Sequence, residues 1–96
     1  MPFAIQYSEV AVAQLKKVRA FDRAAIFDQI EGVLQSNPTL ESKARIKQLR
    51  QPAPTQFRLR VGEFRIFYDV DAARQVVDVI QIMSKQDAIA YLEGSS

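Results

Sequence analysis

The sequence predicts an α+β fold of two layers, an antiparallel sheet packed on a helical hairpin. Three observations predict it. Two stretches of helical periodicity follow one another in the first third of the chain. Three stretches of apolar alternation follow later, joined by turns too short for a crossover. And 96 residues, 48% of them apolar, suffice for one core and leave no room for a second, so 1–96 is read as a single domain.

The elements follow in order. Phe3, Ile5 and Tyr7 alternate with other residues and read as a short N-terminal strand. Ser8 suits a helix N-cap, with Glu9 in the first turn. Ala11, Leu15 and Val18 then make one apolar stripe. Asp22 is the expected cap of a second helix, whose core face is Ile26, Ile30, Val33 and Leu34 beside Phe27. Asn37-Pro38 stops it. From Thr39 to Thr55 the pattern is weak and predicts a loop with a short helical or extended piece anchored by Ile46 and Leu49. Three strands follow, from Gln56 to Val61, Glu63 to Val70 and Val76 to Ile82, as an antiparallel meander with Gly62 in its first turn. Ser84 caps a last short helix, with Asp87 placed for a capping box, Ala88, Tyr91 and Leu92 on one face, and Gly94 at its end.

Composition excludes several chemistries. With no cysteine there is no disulfide, thiolate zinc site or cysteine nucleophile. With no histidine, the commonest general acid/base at neutral pH and the commonest metal ligand are absent. Asp69, Asp71 and Asp78 are the only local group of acids near the later strands and read as structural or turn residues, so neither metal nor cofactor is expected. No apolar run is long enough to span a membrane, and the first residues lack the pattern of a signal peptide. The expectation is a soluble, cytoplasmic protein.

The net charge of +2 is small, but its distribution is not even. Lys43, Arg45, Lys47, Arg50, Arg58, Arg60 and Arg65 fall in one span whose only acid is Glu63, while the rest of the chain is net negative. Such asymmetry points to one positive face and a polyanionic partner. Alternation sharpens the point. Phe57, Leu59 and Val61 share one face of their strand, as do Phe64, Ile66, Tyr68 and Val70 of the next. Arg58, Arg60, Arg65 and Phe67 take the other face. Solvated sheet faces are common, but three arginines on one hairpin repel one another. Phe67 among them reads either as a base-stacking surface or as a contact for the last helix. Lys85 falls in the first turn of that helix, where a cation opposes the helix dipole but free N–H groups favour a phosphate.

The runs "LRVGEFRIFYDVD" at 59–71 and "VIQIMSKQDAIAYL" at 79–92, with the helical stretches and "IKQLRQ" before the sheet, resemble the RelE/ParE family of bacterial type II toxin–antitoxin toxins. The resemblance covers nearly the whole chain. It implies a toxin that arrests growth, either as a ribosome-dependent mRNA endoribonuclease working without metal through the ribose 2′-hydroxyl, or as an inhibitor of DNA gyrase. It implies an antitoxin that wraps the toxin, is acidic and folds on binding, and alone contacts operator DNA; the toxin is then a monomer or dimer within that complex. In the ribonuclease reading the partners are the ribosome and its mRNA. Arg65 then corresponds to the arginine on the scissile phosphate, Arg58 to a basic residue near the 2′-hydroxyl, Arg60 to a supporting phosphate contact, and Tyr91 to an aromatic that orients the mRNA. Lys47 and Arg50 extend the phosphate-binding surface. Lys85 stands where an arginine usually acts as acid or clamp on the leaving group. The sequence departs from the family here: Met83-Ser84-Lys85 replace a glycine, a lysine or histidine, and an arginine. Arg58 replaces a lysine able to lose its proton, which arginine cannot do. A desolvated Lys85 is the amine expected to exchange a proton.

Overall fold

A computed structural model describes residues 2–42 and 44–94; Lys43 of the basic span lies outside the described residues. The elements are β1 (Ala4–Tyr7), α1 (Glu9–Lys17), α2 (Ala20–Gln29) continued by a π-helical turn at Ile30–Leu34, β2 (Ile46–Gln48), β3 (Phe57–Val61), β4 (Phe64–Asp71), β5 (Val76–Ser84) and α3 (Lys85–Glu93). The strands form one sheet in the order β1-β5-β4-β3-β2.

The meander is as expected, but the sheet is mixed. β1 runs parallel to β5, pairing Ala4 with Val76 and Tyr7 with Val79. Strand direction is decided by which edge is vacant after the meander forms, which no local period encodes. The weak segment supplies a fifth strand, β2, antiparallel to β3. The second helix begins at Ala20 after Arg19, not at an Asp22 cap; Asp22 lies in the first turn, where its charge suits the dipole, and pairs with Arg19 at 3.3 Å.

Ser8 caps α1 as read, accepting the Ala11 N–H at 3.0 Å. At the other end Arg23 donates to the carbonyls of Leu15 and Val18 at 3.0 and 2.7 Å, satisfying groups a helix C-terminus leaves open. Ala11, Leu15, Ile26, Ile30 and Leu34 pack on Leu59, Ile66, Tyr68, Val77, Val79 and Ile82 to form the core. That Val79 and Ile82 both face the helices requires a bulge, and the register supplies it: Phe67 pairs with Gln81 while Tyr68 pairs with Val79. Beyond β1 the edge of β5 is closed by side chains. Ser8 Oγ donates to the Ile80 carbonyl at 2.7 Å, and Gln14 accepts the Ile82 N–H while donating to Gln81 Oε1.

Candidate anion site on the open sheet face

The face of the sheet away from α1 and α2 carries the basic residues, as the alternation implies. Register arranges them in two rows. Lys47 lies opposite Arg58, and Arg58 opposite Phe67; Arg60 lies opposite Arg65, and Arg65 opposite Met83. Successive residues on one face of a strand are about 7 Å apart, so the rows are close neighbours. Like charges directly opposite are unfavourable. Among the described residues the sole salt bridge is Arg19–Asp22, so no carboxylate neutralises the cluster.

The structure corrects the sequence reading at Arg65. It does not stand free on the open face but is 7% exposed. Its Nη1 donates to the carbonyls of Gly62 and Phe64, both at 2.9 Å, which folds the side chain back onto its own hairpin turn. Gly62, at φ 56°, occupies the left-handed region that glycine enters without a Cβ penalty, so the turn can present its carbonyl to the guanidinium. Burial and the neighbouring Arg60 lower the Arg65 pKa, opposed by Glu63. Burial first, then Arg65 and Arg60, lower that of Arg58. Arg58 Nε is buried and has no hydrogen-bond partner among the described residues. Arg60 and Lys47 are exposed.

The same turn positions Lys85. Its backbone N–H donates to the Glu63 carbonyl at 2.8 Å, while Ser84 caps α3 by accepting the Asp87 N–H at 3.1 Å. Arg65 and Lys85 are thus held by adjacent carbonyls of one two-residue turn. Lys85 is exposed, so the desolvation anticipated for it is not there. α3 covers part of the open face and buries Phe67 completely; the Phe67 and Tyr91 rings meet edge-on, 5.0 Å between centroids. Phe67 therefore supports Tyr91 and has no surface for a base to stack on. Tyr91 is half-buried, and burial, then Asp69, raise its pKa. Arg50 lies past the end of β2 and outside the sheet register. The local acids have structural roles: Asp69 accepts the Gln56 N–H at 2.7 Å and Asp71 the Arg74 N–H at 3.0 Å. Among the described residues no group of three acids stands together to hold a metal ion, and no helix is long and apolar enough to cross a membrane.

Sequence reasoning missed an acid and a hydroxyl that share a cleft with part of this cluster. Glu41, Ser42 and Ile46 line a cleft with Lys47, Arg58 and Arg60. They come from the segment of weakest pattern, and no spacing signal marks them.

Comparison with known proteins decides the family. Residues 5–89 match the family described as the ParE toxin of the type II toxin–antitoxin system parDE. The chain belongs to the ParE toxin family. No curated protein matches it. Among solved structures, the toxin shares its fold with a chain of the RelBE2 toxin–antitoxin complex of Mycobacterium tuberculosis, with a TM-score of 0.76, 23% identity, and coverage of 88% of this chain and 99% of that one. A chain of the archaeal RelE–RelB complex of Pyrococcus horikoshii gives 0.73, 16%, 88% and 97%. A mutant of the E. coli toxin RelE in the free state gives 0.70, 20%, 98% and 97%. A ParE-family sequence on a RelE-like fold is a type II toxin of the RelE/ParE kind, as the residues at 59–71 and 79–92 implied.

Proposed function

We propose that this toxin is a ribosome-dependent mRNA endoribonuclease, acting in the cytoplasm through the substrate's own 2′-hydroxyl. One observation carries the reading: Arg58, Arg60 and Arg65 stand side by side on adjacent strands, and among the described residues no carboxylate forms a salt bridge with them. An unneutralised cluster that costs stability is suited to an anion with more than one charge. Arg65, oriented by the Gly62 and Phe64 carbonyls, meets the scissile phosphate. Arg60 supports it, and Arg58 sits nearer the 2′-hydroxyl. As the pentavalent phosphate forms, preoriented guanidinium groups stabilise its added charge without reorganising. None of the arginines accepts a proton. Tyr91, whose pKa lies above its usual value, stays a phenol that orients or donates. Lys85, at the mouth beside the same turn, is the proton donor for the leaving 5′-oxygen. Alignment of the 2′-hydroxyl and removal of its proton fall to the ribosome.

A second reading, a gyrase inhibitor that cuts nothing, is favoured by the ParE family match over residues 5–89 and by the folding of Arg65 onto its own turn. In either case the partner is an antitoxin, a reading supported by the solved RelE–RelB complexes that share this fold; its toxin-binding segment is acidic and folds on binding, and operator DNA is contacted only through it. Toxin monomers or dimers both fit such a complex. The test is to induce the toxin alone and map 5′ ends on translated messages, beside an Arg65→Ala, Lys85→Ala variant. Codon-phased cuts lost in the variant support the nuclease. Intact messages with broken or relaxed chromosomal DNA move the toxin to the gyrase class.

A further inference from the structure

The cleft beside Arg58 carries unlike charges. Lys47, Arg58 and Arg60 line it together with Glu41, Ser42 and Ile46, around a volume of about 530 Å³. Although it shares the cleft with three cations, Glu41 makes no ion pair within 4.0 Å among the described residues. A gap therefore separates its carboxylate from those cations. The segment that carries it is tied to the sheet: Ser42 N–H donates to the Ile46 carbonyl at 3.0 Å, Ser42 Oγ accepts the Ile46 N–H at 3.3 Å, and Arg60 N–H donates to the Arg45 carbonyl at 2.8 Å. The gap is thus part of the fold. Arg58, which lines it, is partly buried, and its Nε–H has no acceptor among the described residues, so part of its hydrogen-bonding capacity is unmet within the fold.

We propose that this cleft holds one nucleotide of single-stranded RNA next to the cut, and that Glu41 selects a base bearing an exocyclic amino group over uracil. The phosphate and sugar lie on Lys47, Arg58 and Arg60. The base edge turns to Glu41. A carboxylate only accepts hydrogen bonds. It receives the amino group of cytosine well, as it does in nucleic-acid recognition generally, and repels the carbonyl that uracil carries at the same position. Unpaired bases offer this edge freely in single strands. The inference rests on the ribonuclease reading and adds a specificity residue outside the Arg65–Lys85 pair.

The test measures binding apart from cleavage. Full-length toxin is titrated at pH 7.5 and low salt with fluorescein-labelled 2′-O-methyl oligocytidine and oligouridine hexamers, which cannot be cut through the 2′-oxygen. Oligocytidine should bind about tenfold more tightly. Glu41→Gln, at an exposed position that leaves the core untouched, should bring the ratio close to one. Arg58→Gln should weaken both hexamers alike. Equal binding of the two hexamers by the unaltered toxin, or a preference that survives Glu41→Gln, overturns the assignment of Glu41 while leaving the nuclease reading in place. Failure to bind either hexamer, with messages intact in cells, overturns both.

Discussion

Phe67 is wholly buried and its ring meets that of Tyr91 edge-on, with centroids 5.0 Å apart and planes inclined at 62°. The pair clamps α3 to the strand that carries Arg65. Edge-to-face rings contribute about 0.5–1.5 kcal/mol beyond the area they bury. Tyr91→Ala should therefore lower stability by about 2 kcal/mol and raise hydrogen exchange across α3. Tyr91→Phe keeps the ring contact and most of that stability. Urea denaturation and amide exchange check both, and equal protection of α3 in all three proteins would disprove the clamp.

Arg65 separates function from stability. It is a buried charge among like charges, so its removal relieves repulsion while losing two hydrogen bonds. An apolar residue of similar length often replaces a buried ionic group at little cost. Arg65→Met should unfold within about 1 kcal/mol of the parent, yet abolish growth arrest and message cleavage. A stable variant that still arrests growth would remove Arg65 from the site.

Arg23 holds the end of α1 through the Leu15 and Val18 carbonyls. Hydrogen bonds from charged donors are worth about 1.5–3 kcal/mol, less where solvent reaches them. Arg23→Ala should cost about 2 kcal/mol in guanidinium denaturation, with activity retained under conditions where the protein stays folded.

Tyr7 and Tyr68 titrate well above the ordinary 10.0, both chiefly through burial, Tyr7 also through Glu31. The Tyr68 hydroxyl donates to the Pro38 carbonyl at 2.6 Å. In the unfolded chain both phenols ionise near pH 10, while in the folded chain they stay neutral. The unfolded state binds fewer protons there, so the contribution of these two phenols to stability is constant below about pH 10 and falls above it. Thermal unfolding between pH 8 and 11.5 should show this decline, and the Tyr7→Phe, Tyr68→Phe double variant should flatten it.

Much of the molecule was legible because it depends on local period. Ser8 and Ser84 cap the helices they precede, and Ile26, Ile30 and Leu34 face the core. Arg58, Arg60 and Arg65 share a face because side chains alternate along any strand. Less was legible where two distant segments meet. Asp22 has the chemistry of a cap, but the helix starts three residues earlier, after Arg19.

By itself, then, the amino-acid order determined the elements, their caps, the apolar face of each strand and the clustering of positive charge, since these arise within a few residues of chain. Tertiary structure decided the rest. It ran β1 parallel to β5, added β2 at the far edge, laid α3 over Phe67, turned Arg65 inward to the Gly62–Glu63 turn, and set Glu41 across from Arg58. Burial and electrostatic surroundings belong to whatever packs around a residue: Phe67 is covered from α3, far along the chain, and even Arg65, held by carbonyls within three positions, depends on how its turn folds.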